Sequence, residues 1–164
     1  MTIEEIRQKM DAASNEKDKL HYMRVYDYAV KIGHAEKLDE KAQFLLEAEA
    51  LVHDIACPLC RIKYGNVKGE LQEKESEALI LTFFSGCNIA EETVKRIAYV
   101  VSHHHTVTNV DGLDYQYLLE ADFLVNASEQ HWSVQTIRND SFFFVSETGK
   151  QFLQEIEQSA DLVV

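Results

Sequence analysis

Two histidines and two aspartates occupy positions from which a helical chain could bring them together. His21 lies on an apolar helical face, and His53 ends another such face and is followed directly by Asp54. Asp122 shares a helical face with Tyr115 and should be buried. Burying an unpaired carboxylate is strongly unfavourable, so these groups should meet a cation or a hydrogen-bond donor. Side chains from different helices can converge on one cation in the core of a bundle.

This set of side chains favours a divalent transition metal over a thiolate-bound ion. Imidazole nitrogens and carboxylate oxygens together suit Mn²⁺, Fe²⁺, Ni²⁺, Co²⁺ or Zn²⁺, with Mg²⁺ as a further candidate. An octahedral ion held by these groups keeps positions free for water and substrate, and the bound water loses a proton near neutral pH. The alternative is that each side chain is an ordinary hydrogen-bonded polar group of the core.

The elements that would position these residues are predicted to be helices. Apolar residues recur at helical spacing, and Asp39 is a candidate N-cap. The predicted helices cover 3–12, 18–34, 39–54, 71–84, 91–103, 114–127 and 147–159. A break with the only proline and two glycines is expected from about 56 to 69, and residues 142–145 could form a short extended piece. The fold class is predicted to be all-α, with residues 1–164 forming a single domain.

Composition narrows the classes of function. The chain of 164 residues is 46% hydrophobic and 27% charged, with one proline and six glycines, as in a soluble helical globule. Sixteen basic and 28 acidic residues give a net charge of −12, which argues against nucleic acid or membrane partners. No apolar run approaches the length of a membrane span, and we expect a cytoplasmic protein. Cys57 and Cys60 are interpreted as reduced thiols, with a redox pair as the alternative.

The segments around the four candidate ligands resemble a known signature. His21 lies in Leu-His-Tyr-Met-Arg-Val-Tyr, the doublet His53-Asp54 follows Ala-Leu-Val, and Asp122 lies in Glu-Ala-Asp-Phe-Leu. Together they resemble the H…HD…D signature of the HD superfamily of metal-dependent phosphohydrolases, across about residues 18–128. The resemblance to small stand-alone bacterial members implies an HD-domain helical bundle, and the C-terminal helix predicted at 147–159 is expected to pack on it. It also implies that His21, His53, Asp54 and Asp122 bind a metal ion in the core.

The sequence departs from the superfamily pattern at several points. Ala56 stands where members often have glycine, and the segment from Asp111 to Tyr115 lacks the Gly-Tyr-Pro signature, so cyclic-di-GMP is not a favoured substrate. The usual intervening histidine is absent, and one metal ion is therefore favoured. The alternative is a second ion held by residues from the run His103-His104-His105, with Glu73 or Glu75.

Other residues are candidates for substrate binding and catalysis. Between residues 61 and 69 the chain carries Arg61, Lys63 and Lys68 but no acid, and this predicted loop directly follows the doublet. With Arg24, these residues would bind phosphate; the alternative is a solvated loop and an Arg24 paired with an acid.

The resemblance assigns Glu73 or Glu75 to the attacking water, whereas glutamates at a helix start are by default exposed. His104 is the preferred proton donor to the leaving oxygen, although the sequence does not choose within the run of three histidines.

Three functional hypotheses follow. The leading one is a divalent-metal-dependent phosphohydrolase for a small phosphorylated metabolite, a nucleotide or a phosphomonoester. The second is a metal-bound nucleotide sensor without turnover, and the third is a structural helical domain whose polar cluster is paired internally. The aromatic run from Phe142 to Phe144 is predicted to be core, with a homodimer surface as the alternative.

Overall fold

The structure, a computed structural model, describes residues 1–162 and forms nine α-helices there, without a strand. The all-α prediction is confirmed. The helices are α1 (Ile3–Ala13), α2 (Glu16–Ala35), α3 (Glu40–Val52), α4 (Cys57–Tyr64), α5 (Gly69–Phe84), α6 (Glu91–Val101), α7 (Leu113–Glu129), α8 (Val134–Asp140) and α9 (Glu147–Asp161). No helix among the described residues has the length and apolar character that crossing a bilayer requires.

Capping side chains mark the starts of helices α1 and α3. Asp39 caps α3, and its carboxylate accepts a hydrogen bond from the backbone N–H of Ala42 at 2.8 Å. Thr2 and Glu5 form a reciprocal capping box at the start of α1. Such caps satisfy backbone N–H groups that have no partner within the helix. The predicted N-cap at Asp39 is therefore confirmed.

The predicted break over 56–69 is largely wrong, because most of it forms α4. Pro58 lies in the first turn, where its missing N–H costs no intrahelical bond. Gly65 ends the helix with a left-handed backbone (φ 73°), a conformation that favours glycine. Arg61 and Lys63 are thus helical residues, and only 65–68 form a connection.

Two further expectations for the last third of the chain need correction. Residues 142–145 form a turn and irregular backbone and no strand, and α8 precedes them in a stretch for which no helix was predicted. Phe144 is buried and Phe143 half-buried, in agreement with the predicted core, whereas Phe142 is 76% exposed.

The core is organised around α7, which packs against α2, α3 and α9 and is buried along most of its length. A second apolar cluster joins α1, α3, α5 and α6. Since α3 contacts α1, α2, α6 and α7, it links the two clusters. The middle of α2, the end of α3 and the middle of α7 therefore meet inside the protein.

A buried carboxylate fixes the start of α9. Glu120 on α7 has no exposed surface and accepts hydrogen bonds from the backbone N–H groups of Val145 and Ser146 and from the Ser146 hydroxyl. Gly149 lies so close that a Cβ there would stand 2.1 Å from Glu120 Oε1. The C-terminal helix therefore packs on α7 through polar contacts as well as through Leu153.

Candidate metal centre

The structure brings the four predicted ligand residues together at one point. His21 Nε2 lies 3.2 Å from His53 Nε2, 3.2 Å from Asp54 Oδ2 and 3.4 Å from Asp122 Oδ1. His53 Nε2 lies 3.4 Å from Asp54 Oδ2 and 3.3 Å from Asp122 Oδ1. Four side chains from α2, the end of α3 and α7 thus point their donor atoms at a common centre.

These spacings fit a bound cation. Nitrogen and oxygen atoms held at about 2.1 Å from one ion stand about 3.0–3.4 Å apart in octahedral or tetrahedral geometry. Asp122 Oδ1 and His104 Nε2 are buried and accept no hydrogen bond from the described residues. Buried polar atoms are rarely left without a partner, so a positively charged ion suits this site.

Backbone contacts set the orientation of two imidazoles. His53 Nδ1 donates to the Ala50 carbonyl at 2.7 Å, and His104 Nδ1 donates to the Val101 carbonyl at 2.6 Å. Because a carbonyl oxygen can only accept, the proton of each neutral ring lies on Nδ1. Each Nε2 lone pair is thereby directed into the cluster, in the tautomer that a metal ligand requires.

Sequence reasoning missed Glu129, which contacts the third imidazole. Glu129 Oε1 accepts from His21 Nδ1 at 2.5 Å, and Arg24 Nη1 donates to Glu129 Oε2 at 3.3 Å. A carboxylate behind a histidine fixes its tautomer and makes the other nitrogen a stronger donor. The signal in the sequence was the spacing of seven between Asp122 and Glu129, which places both on one face of α7.

Without a bound cation, the neighbouring carboxylates raise the pKa values of both histidines, His21 and His53. Burial lowers the pKa of His21, but the Asp122 and Asp54 carboxylates close to its Nε2 outweigh burial and raise that pKa to about 10. Burial likewise opposes the charged form of His53, yet the charges of Asp54 and Asp122 hold its pKa well above the usual range.

The pKa values of the two carboxyl groups are shifted in the opposite direction, below the usual range. Burial raises the pKa of Asp54 and of Asp122, but the charge of His53 and the other imidazoles close to each carboxylate outweigh burial and hold both pKa values below the usual range. The cluster therefore has two carboxylates that favour a bound positive charge, supplied either by protons on the histidines or by a cation.

Only part of the histidine run reaches the cluster. His104 is buried with Nε2 3.4 Å from Asp54 Oδ1, and His105 can share a cation with His104 and Asp54. The His105 Nε2 atom also lies 3.1 Å from Gln72 Oε1. The structure does not bring His103 to this group, since His103 Nδ1 donates to the Tyr99 carbonyl and the ring stacks on Tyr99.

The two candidate catalytic glutamates contact other residues. Glu73 accepts from the Thr106 hydroxyl at 2.9 Å, and Glu75 accepts from Lys63 Nζ at 2.8 Å and from the Tyr64 hydroxyl at 2.6 Å. Among residues 1–162, neither glutamate forms a hydrogen bond or ion pair with the cluster histidines. The expected role of Glu73 or Glu75 beside the attacking water therefore stays a prediction.

The predicted phosphate-binding cations are mostly paired with acids. Arg61 donates two hydrogen bonds to the Asp18 carboxylate, at 2.8 and 2.6 Å, and Lys63 pairs with Glu75. Lys68 is exposed and stands at the residue before α5. Arg24 lines a groove and pairs with Glu129, in agreement with the alternative prediction of an Arg24 paired with an acid.

The cysteine pair is buried and unbridged. Cys57 and Cys60 are free thiols on α4. Burial, followed by the negative charge of Asp54, raises the pKa of the Cys57 thiol, which disfavours the reactive thiolate.

Comparison with known proteins shows the fold. No protein-family profile matches the chain, and no curated protein sequence does. The crystal structure of a predicted HD superfamily hydrolase from an uncultured Thermotogales bacterium superposes with a TM-score of 0.66. The match covers 98% of this chain and 88% of that chain at 22% sequence identity. The protein therefore shares an HD-like helical fold with that predicted hydrolase, as the resemblance of the signature residues predicted, and its His/Asp cluster lies in the core of that fold.

Proposed function

We propose that this protein is a divalent-metal-dependent phosphohydrolase that acts on a small phosphorylated metabolite, a nucleotide or a phosphomonoester. The observation that carries the proposal is the convergence of His21, His53, Asp54 and Asp122, whose donor atoms have the spacing of metal ligands. The shared fold with a predicted HD superfamily hydrolase supports the same reaction class.

The four residues would hold one divalent metal ion. Two nitrogen donors favour Mn²⁺, Fe²⁺, Co²⁺, Ni²⁺ or Zn²⁺ over Mg²⁺, which prefers oxygen ligands. Such an ion polarises a phosphoryl oxygen and lowers the pKa of a bound water. The Asp54 side chain is 26% exposed, so the Asp54 edge of the cluster reaches solvent.

Neighbouring groups orient the imidazoles of the cluster, and His104 is the candidate proton donor. His53 is fixed by the Ala50 carbonyl and His21 by Glu129, so both present Nε2 to the centre. His104 faces Asp54 with its unpartnered Nε2, which in its protonated form can deliver a proton to the leaving oxygen. If His104 instead joins His105 and Asp54 around a second ion, that proton is not available.

Replacing Asp54 tests the proposal directly. Asp54→Ala removes a carboxylate that faces His21, His53 and His104, and we expect the loss of both bound metal and phosphate release. Metal content is measured by mass spectrometry on protein purified without chelator, and hydrolysis on a panel of nucleotides and phosphomonoesters. Asp140→Ala, an exposed carboxylate on α8, is the matched control.

Full activity in Asp54→Ala would refute the site. Stoichiometric metal and tight nucleotide binding without phosphate release would instead favour a sensor. Absence of metal, with no stabilisation by added Mn²⁺ or Ni²⁺, would leave a structural domain whose charges are paired internally.

A further inference from the structure

An ion pair joins α2 to α4 beside the metal centre. Arg61 of α4 donates from Nη1 and Nη2 to the two carboxylate oxygens of Asp18 on α2, at 2.8 and 2.6 Å. The Asp18 side chain is 18% exposed and the Arg61 side chain 44%, so the acid is the more enclosed partner. Two parallel hydrogen bonds of this kind fix the orientation of a guanidinium as well as its position. The sequence had singled out Arg61 but not Asp18.

Both partners are anchored next to residues of the metal centre. Asp18 precedes His21 by three residues on α2, which makes their side chains neighbours on the helix surface. On the other side, the backbone N–H of Cys57 donates to the Asp54 carbonyl at 2.9 Å, and Arg61 follows Cys57 by one turn of α4. The ion pair therefore lies one turn from His21 along α2 and about two turns from Asp54 along the chain.

The electrostatic influence of Asp54 on Arg61 agrees with this placement. Hydrogen bonds to Asp18 raise the pKa of the Arg61 guanidinium, and the negative charge of Asp54 raises it further. Asp54 is also the most exposed of the four candidate ligands, with 26% of its side chain accessible, against 16% for His21, 12% for Asp122 and none for His53. Arg61 therefore stands near the edge of the centre that reaches solvent.

The contact with Asp18 leaves part of the guanidinium free for an anion. A guanidinium carries five N–H donors, and the two hydrogen bonds to Asp18 use two of them, which leaves three. Within residues 1–162, Arg61 donates to no other group. The planar arrangement of these donors matches the spacing of phosphate oxygens.

We propose that Asp18 is a positioning residue that holds Arg61 at the open edge of the metal centre, where the free N–H groups of Arg61 bind the phosphoryl group of the substrate. The inference rests on the proposed hydrolase function, because this phosphoryl group is the one placed at the centre. The pairing of Arg61 with an acid then belongs to the site. Orientation of Arg61 by Asp18 strengthens phosphate binding, whereas the negative charge of Asp18 by itself repels phosphate, so the two effects have opposite signs.

Binding of inorganic phosphate tests the proposal without depending on turnover. Orthophosphate is titrated by calorimetry into the protein as purified, and the metal content of each variant is measured alongside. Arg61→Gln should weaken phosphate binding about 10-fold or more, through the loss of charge-assisted hydrogen bonds. Asp18→Asn should weaken it about 3- to 10-fold, because Arg61 loses its fixed orientation. Both variants should keep their metal, since neither side chain belongs to the cluster.

A double-mutant cycle distinguishes positioning from a purely structural role. In the Arg61→Gln background, Asp18→Asn should leave phosphate affinity unchanged or tighten it, because no guanidinium remains to be oriented. Glu16→Gln is the matched control, since it removes a negative charge from the same first turn of α2, and it should bind phosphate within about twofold of the wild type. Unchanged or tighter phosphate binding in Asp18→Asn alone would overturn the inference, as would a loss that persists in the Arg61→Gln background.

The outcomes for Asp18 and for the hydrolase are separable. Phosphate release that depends on Asp54 but is insensitive to Asp18→Asn and Arg61→Gln would leave the hydrolase standing and reject the positioning role. A phosphate affinity that depends on Asp18 through Arg61, without phosphate release from any substrate, would reject the hydrolase and keep the pair as an anion-binding device.

Discussion

Replacing Glu129 tests whether its negative charge makes His21 a stronger ligand for a metal ion. Glu129→Gln keeps the size of the side chain and an oxygen that can accept from His21 Nδ1, but it removes the negative charge. The wild-type contact is short, 2.5 Å between His21 Nδ1 and Glu129 Oε1, and it involves a histidine whose other nitrogen faces the cluster. A neutral acceptor makes the imidazole a weaker donor to a cation.

The expected magnitude follows from similar arrangements in metal sites. Loss of a carboxylate that orients a metal-binding histidine weakens metal affinity about 10- to 100-fold, which corresponds to about 1.4–2.7 kcal/mol. Arg24→Gln serves as the control, because it keeps the carboxylate and removes only a partly exposed ion pair at 3.3 Å. Such a pair contributes about 1 kcal/mol or less.

The dissociation constants for Mn²⁺ and Ni²⁺ can be measured by competition with a coloured chelator. Glu129→Gln should weaken both metals by at least about 10-fold, and Arg24→Gln by about 5-fold or less. Metal binding by Glu129→Gln within about twofold of the wild type, or an equal loss of affinity in Arg24→Gln, would show that the Glu129 charge does not strengthen His21 as a ligand.

Two further predictions concern stability. In protein freed of metal, the pKa of His21 is raised from 6.5 to about 10, so its protonated form stabilises the fold fully below pH 6.5 and this contribution is lost as the pH rises towards 10. Urea unfolding of the metal-free protein should show a free energy of unfolding that falls over this range, and a rise would contradict the charge assignment. Gly149→Ala places a methyl group 2.1 Å from Glu120 Oε1 and should cost about 1–3 kcal/mol through overpacking. Thermal unfolding tests this against Ser159→Ala, an exposed change on the same helix; equal melting temperatures would show that the contact relaxes freely.

Much of the fold could be predicted from the sequence because helix formation depends on neighbours a few residues away. Apolar residues at helical spacing predicted α2, α3, α5, α6, α7 and α9. The cap at Asp39 needed only the N–H of Ala42, three residues on. The same local logic failed for residues 57–64, where proline and glycine predicted a break but instead occupy the first turn and the end of a short helix.

The residues of the candidate site were also accessible from the sequence, but their contacts were not. The types and order of His21, His53, Asp54 and Asp122 predicted a cation site, because such side chains are costly to bury unless they converge. Whether they do converge depends on how α2, α3 and α7 pack, and the structure shows separations of 3.2–3.4 Å between their donor atoms. No pattern within a single helix determines such distances.

Only the tertiary structure decided which neighbours assist the site. His103 and His104 are adjacent and chemically identical in sequence, yet the turn after α6 directs His104 towards Asp54 and His103 towards Tyr99. Glu129 reaches His21 across 108 residues of chain. The sequence determined which side chains were able to bind a cation, since that depends on residue type. The packing of the helices determined which of them point at the same place, since that depends on contacts between segments far apart in the chain.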